Sequence, residues 1–262
     1  MNDGRGSGRR EVNVPDAAIA GRTIVLTRPS PGTLGERLAG AGARVEHVPL
    51  IEIGPPTDGG AGLRDALDDL VGFEWIVVTS ANGAAAVGDA AARAPDVRLA
   101  AVGTATAAAL ESRAGRAVDL VPAVANSDGL LEAFTASPCR VLLAQADRAG
   151  DQLAAGLRAA GHDVVAVEAY ATRPLPLDAG QLEVLGTADA VVLASGSAVE
   201  AWARAAEKSS GGRFPDVTAA IVTIGDRTAT VAEAHGLVVA AVAAAPNDDR
   251  VVAAVATALA VR

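Results

Sequence analysis

Four short stretches of the 262-residue chain set small polar residues where an apolar run gives way to a helical pattern: Thr79-Ser80-Ala81-Asn82-Gly83, Gly103-Thr104-Ala105-Thr106, Ser195-Gly196-Ser197 and Gly225-Asp226-Arg227-Thr228. Each is predicted to open a helix, whose free backbone N–H groups and positive dipole end suit a carboxylate or a phosphate. Any one of them is accounted for as an ordinary N-cap, because Ser, Thr and Asn are the usual capping residues. At matching places in two halves of the chain, the set points to an anion-binding cleft. Arg28, Arg148, Arg173 and Arg227 fall at or near strand exits, where a guanidinium can meet carboxylates, although a loop arginine is more often simply solvated. Tyr170 is the only tyrosine, and it lies in the β-branched stretch from Val164 to Pro174. That stretch reads either as one more buried strand with an amphipathic residue at its end or as a connector between halves.

Other chemistries lack their residues. The first βα unit carries Pro29-Ser30-Pro31-Gly32 where a dinucleotide site needs its spaced glycines, and no Gly-Lys-Ser/Thr phosphate loop exists. NAD and nucleotide hydrolysis are therefore disfavoured. His47, His162 and His235 are scattered, and the last two sit where helices are predicted to end. Cys139 is the single cysteine, without an evident activating base, and reads as a small buried hydrophobe. A single cysteine can form no internal disulfide and no Cys/His pair has ligand spacing, so neither a disulfide framework nor a zinc site is expected, and a reducing cytoplasm fits.

These residues must be positioned by a scaffold poor in aromatics, which make up 2% of a chain that is 50% hydrophobic. Cores of Ala, Val and Leu favour layered α/β structure, and the length suits two domains of about 100–150 residues each. The net charge of -9 gives no footprint for nucleic acid. No uninterrupted apolar stretch approaches the roughly 18 residues of a membrane span. Arg5, Arg9 and Arg10 among glycines make residues 1–20 read as a disordered tail.

Strands are predicted at Thr23 to Leu26, Arg44 to Ile53, Trp75 to Val78, Leu99 to Val102 and ending at Leu120, with helices between them; Leu34 and Leu38 mark the first helix. The second half replays this pattern. Thr23-Ile-Val-Leu matches Arg140-Val-Leu-Leu, Arg44-Val45-Glu46 matches Asp163-Val164-Val165, Trp75-Ile-Val-Val-Thr-Ser matches Ala190-Val-Val-Leu-Ala-Ser, and Gly103-Thr-Ala-Thr matches Gly225-Asp-Arg-Thr. Strands alternating with helices at this spacing imply parallel sheets covered on both faces, the doubly wound class. On the repeat alone the boundary falls near Ser137-Pro138.

The ordered set Leu26-Thr27-Arg28-Pro29, Trp75 through Gly83, Val102 through Thr106, Leu120-Val121-Pro122, Glu168 through Thr172 and Ile224 through Thr228 resembles the uroporphyrinogen-III synthase family, from about Gly21 to the C-terminus. The resemblance implies two flavodoxin-like α/β domains joined by a two-stranded antiparallel connection. It places domain 1 at residues 21–43 and 174–262, domain 2 at 54–163, and the connecting strands at 44–53 and 164–173. Glu46, Glu52 and Glu168 fit that placement, since they would sit badly in a sheet buried on both faces.

The resemblance further implies closure of the linear tetrapyrrole hydroxymethylbilane to uroporphyrinogen III, with loss of water and inversion of ring D and with no metal or other cofactor. Holding a flexible octacarboxylate and assisting one departing hydroxyl makes positioning the main task. Thr79, Ser80, Asn82, Thr104, Thr106, Ser195, Ser197, Thr228, Arg28 and Arg148 are then the expected substrate-binding residues, and Tyr170, on a connecting arm facing the cleft, the proton donor. Ala144-Gln145-Ala146-Asp147-Arg148 departs from an Arg-Gly pattern common in the family, and Arg227 stands where Thr is frequent. The partners implied are this substrate and transient contact with the preceding deaminase, for a monomer of the cytoplasm. The other class of function compatible with the residues is a non-catalytic two-lobed module that binds a small molecule.

Overall fold

The computed structural model describes residues 14–210 and 217–261. The chain separates into two compact units, one formed by Met1–Glu52 and Pro174–Arg262 and the other by Ile53–Arg173.

In the first unit β1 (Thr23–Leu26), β2 (Arg44–His47), β8 (Ala190–Leu193), β9 (Ala220–Thr223) and β10 (Val239–Val242) form one sheet in the order β10-β9-β8-β1-β2. Every pairing in it is parallel. Successive side chains of β1 go to opposite faces, as the period of two requires. Val25 packs on one side with Val191, Leu193 and Ile221 under α8 (Ala179–Thr187), α9 (Gly196–Ser210) and α10 (Asp226–Ala234). Ile24 and Leu26 pack on the other with Val192 and Val222 under α2 (Gly32–Gly40) and α11 (Asp248–Ala260).

The second unit holds β3 (Ile51–Gly54), β4 (Trp75–Val78), β5 (Arg98–Ala101), β6 (Arg140–Ala146) and β7 (Asp163–Pro174) in the order β3-β7-β6-β4-β5. Here β4, β5, β6 and β7 are mutually parallel. Ile76, Val78, Leu99 and Leu142 face α3 (Ala61–Asp68), α4 (Ala81–Ala92) and α5 (Thr104–Ala114). Val77, Ala100, Val141 and Leu143 face α6 (Ser127–Ala133) and α7 (Gln152–Ala159). Both units are thus doubly wound α/β layers.

Three expectations change. The predicted strand from Arg44 to Ile53 is two elements: β2 pairs in register with β1 from Thr23↔Arg44 to Leu26↔His47, and β3 joins the other sheet beyond Pro49. Glu46 is tolerated because β2 is an edge strand with an exposed side, not because it belongs to a connection. The predicted strand at Leu120 shrinks to a single bridge with Ala100. Pro122, which has no N–H to donate, follows two residues later and stops the ladder. Residues 1–13 of the expected disordered tail lie outside the described residues, but Val14–Ile19 form the helix α1, and Ile19 is fully buried in the core under α11.

Candidate active site

In parallel α/β sheets ligands gather beyond the carboxyl ends of the strands, where free helix N-termini converge. All the expected site residues of each unit stand at that edge. In the second unit the sheet order arranges them as Tyr170 near the end of β7, Arg148 after β6, Thr79, Ser80 and Asn82 after β4, and Thr104 and Thr106 after β5. In the first unit Arg28 follows β1, Ser195 and Ser197 follow β8, and Thr228 follows β9.

The hydroxyls have local work. Ser80 is the N-cap of α4, with its Oγ accepting the Gly83 N–H at 3.0 Å. Ser195 does the same for α9, its Oγ accepting the Ala198 N–H at 3.2 Å and lying 3.0 Å from the Ser197 hydroxyl. Thr106 and Thr228 occupy the third position of α5 and α10 and are nearly buried, which leaves little of either side chain to a ligand. Asn82 and Thr104 are exposed, and Thr79 is half-buried.

The helix N-termini differ in what they offer. Gly103 and Gly225 cap α5 and α10 in extended backbone, and neither helix receives a side-chain cap. The first-turn amides of α5 remain available, and no acidic residue shares that turn. In α10 Asp226 occupies the first turn and competes for the same dipole. The N-terminus of α5 is therefore the less encumbered of the two. Gly83 lets α4 approach β6 closely, since a Cβ there would lie 3.2 Å from the carbonyl oxygen of Ala144.

In the first unit the strand order reverses between β1 and β8, and a pocket of about 70 Å³ opens at that point, lined by Thr27, Arg28, Ala194, Ile224, Pro246 and Asp248 among others. Thr27 is completely buried and donates its hydroxyl to the Val192 carbonyl at 2.8 Å, which ties the strand ends together. Arg28 pairs with Asp248 at 3.5 Å, and its carbonyl meets His47 Nε2 at 2.8 Å. Asp248 also accepts the Thr33 hydroxyl.

Tyr170 sits at an irregularity. Pairing of β6 with β7 runs from Arg140↔Asp163 to Gln145↔Glu168, then skips Ala169 and resumes at Ala146↔Tyr170. A bulge of this kind re-aims the side chains that follow it. The ring packs partly against the apolar face that holds Ala169 and Ala144.

A sequence profile of the family described as Uroporphyrinogen-III synthase HemD matches residues 32–253, most of the chain and part of both units. The chain belongs to the uroporphyrinogen-III synthase family. The uroporphyrinogen-III synthase of Synechococcus elongatus is 32% identical over 166 residues, 59% of this chain and 62% of that protein. The chloroplastic enzyme of Oryza sativa is 30% identical over 247 residues, 84% of this chain and 78% of that protein. A mutant uroporphyrinogen III synthase of Thermus thermophilus superposes with a TM-score of 0.65 at 18% identity, over 92% of this chain and 100% of that one. The Helicobacter pylori protein gives 0.58 at 17% identity over 92% and 100%. These two solved structures share the two-domain α/β fold.

Two residues escape a reading of the sequence alone. Asp248 has the look of a simple helix start, and the structure makes it the partner of Arg28. Asp147 stands out only as a neighbour of Arg148, yet it contacts β7 on either side of Ala171. Its signal is the departure from the family pattern after β6. Among the described residues no group of three or more His, Cys, Asp or Glu is placed to hold a metal ion, and no helix is long and apolar enough to cross a membrane.

Proposed function

We propose that this protein is a uroporphyrinogen-III synthase that converts hydroxymethylbilane to uroporphyrinogen III. Family membership across both units supports the reading, and one observation carries its chemistry: the sole tyrosine stands on the same sheet edge as the open N-terminus of α5 and Arg148. Amides and guanidinium groups there suit the carboxylates of a linear tetrapyrrole. Tyr170 donates a proton to the departing hydroxyl, which leaves as water. Loss of that water leaves an azafulvenium cation that closes through a spiro intermediate inverting ring D, and the proton released as the macrocycle forms returns to the phenolate. Thr79, Asn82 and Thr104 on the second unit, and Ser197 and Arg28 on the first, are substrate-binding residues, while Ser80, Ser195, Thr106 and Thr228 shape the helix ends of their own units. The protein works as a monomer in the cytoplasm, in transient contact with the deaminase that supplies the substrate.

The test supplies the purified protein with enzymatically generated hydroxymethylbilane and separates the oxidised products. Isomer III in excess is the expected result. Isomer I alone, the spontaneous product, would sink the proposal.

A further inference from the structure

Equivalent strands in the two units end differently, and the difference concerns Tyr170. In the first unit the register of β2 with β1 runs without a bulge from Arg44 to His47, and backbone bonds alone carry the contact on, Val48 N–H to the Leu26 carbonyl at 3.1 Å and Leu50 N–H to the Thr27 carbonyl at 3.2 Å. In the second unit β7 stays against β6 past the bulge, and Asp147 is what continues the attachment. The Asp147 N–H donates to the Tyr170 carbonyl at 3.0 Å, and the Asp147 carboxylate accepts the Thr172 N–H at 3.0 Å. A single residue beyond the end of β6 therefore grips the backbone immediately before and after Ala171. The carboxylate bond is charge-assisted and carries the attachment beyond the last paired residue of β6. On the other side of β7, Glu168 accepts the Thr57 hydroxyl at 2.5 Å and the Thr57 N–H at 3.0 Å. Tyr170 thus lies between two carboxylates that hold β7, its own carbonyl taking the Asp147 backbone N–H while the Asp147 carboxylate holds the strand two residues on at Thr172.

We infer that Asp147 is the positioning residue for Tyr170, setting where the phenol points without touching substrate. Its part in catalysis rests on the proton-donor reading of Tyr170 above, whereas its grip on the strand does not. The phenol hydroxyl must meet one oxygen of a bound substrate, and a displacement of about 1 Å at such a group costs on the order of 100-fold in rate.

Because Tyr170 is the only tyrosine, protein grown with 3-fluorotyrosine gives a single ring ¹⁹F signal that reports its surroundings directly. Three variants are compared with wild type: Asp147→Ala, which removes the acceptor, Asp147→Glu, which displaces it, and Asp147→Asn, whose side-chain oxygen can still accept the Thr172 N–H. The Ala and Glu variants are expected to shift or broaden the ¹⁹F signal and to lower kcat about 10- to 100-fold with KM little changed. The Asn variant should restore both toward wild type. The Ala variant is read alongside the Glu variant, so a folding failure of one leaves the other to decide. An unmoved signal in a folded Ala or Glu variant overturns the inference. A moved signal with unchanged turnover upholds the grip on Tyr170 and overturns the proton-donor reading instead.

Discussion

The hydroxyls of Ser80 and Ser195 cap corresponding helices in the two units, each accepting the amide three residues on, at 3.0 Å from Gly83 and 3.2 Å from Ala198. The capping duty and the ligand duty of these positions make opposite demands. Ser80→Ala and Ser195→Ala should each lower stability by about 1 kcal/mol in urea titrations while leaving KM nearly unchanged. Ser80→Asp keeps a cap but sets a negative charge at the helix end that should receive a carboxylate, so its stability should match wild type while KM rises. A KM unaffected by Asp would remove the α4 N-terminus from the binding surface.

How these serines come to correspond shows what is legible in the sequence. The repeat pairs β1 with β6, β2 with β7, β4 with β8, and β5 with β9, and the two sheets realise it in the same strand order, β2-β1-β8-β9 and β7-β6-β4-β5. Each sheet combines the opening strands of one repeat with the later strands of the other. Hydrophobic periodicity locates Ile24, Val77 or Leu142 as buried but is blind to this exchange, since any copy of a βα unit would bury the same face. Ser137-Pro138, the break suggested by the repeat, accordingly lies inside the second unit. The N-caps are readable because capping depends on residues three apart. The grip of Asp147 on Thr172 joins positions 25 apart across a bulge, and local pattern does not encode such a contact.

At the pocket between β1 and β8 Asp248 competes with any bound carboxylate for the Arg28 guanidinium. Their separation of 3.5 Å and partial exposure make the pair worth about 0–1 kcal/mol to stability. Arg28→Gln should therefore barely change the unfolding midpoint yet raise KM about 10-fold, the scale of a lost bond to a charged group. Asp248→Asn, by releasing the guanidinium, should lower KM. Steady-state kinetics on both variants decides whether Arg28 meets substrate.

Asp189 sets an acid limit on stability at the far edge of the first sheet. Its carboxylate accepts the Thr23 N–H at 2.7 Å and the Arg22 guanidinium at 2.8 Å, and the backbone bond first, then Arg22, hold it below the usual carboxylate range against the opposing effect of burial. A depressed carboxyl favours the fold wherever the unfolded chain would bind the proton and the native chain does not. The contribution is therefore complete above about pH 5 and is lost as pH falls below the unfolded value of about 3.9 through the folded one. Asp189→Ala should cost about 1–2 kcal/mol at pH 7. The gap from wild type should narrow in denaturant titrations taken from pH 5 down to pH 3.

Cys139 should be a poor nucleophile. Burial pushes its thiol above the ordinary range, Glu74 adds to the shift and Arg98 opposes it, while Sγ lies 3.3 Å from Nδ1 of the buried His162. Since the thiolate is the reactive form, alkylation by iodoacetamide at pH 8 should be slower in the native protein than in urea. Equal rates in the two states would show that the native fold gives Cys139 no protection.

Tyr170→Phe separates proton donation from packing, because the ring packed against the apolar cluster under α4 and α5 is retained and only the hydroxyl is lost. General acids typically contribute about 100- to 10,000-fold, and the share left to spontaneous loss of the hydroxyl places the expected fall in kcat at roughly 10- to 1,000-fold. KM and the urea midpoint should hold near wild type, as the phenol neither carries substrate charge nor anchors the strand, a task that falls to Asp147 and Glu168. Product partition gives the sharper reading. If the hydroxyl assists only the departure of water, the slowed variant still makes isomer III from what it turns over, with more isomer I arising from substrate that closes unaided. Wild-type turnover in the variant would reassign Tyr170 to the architecture of β7.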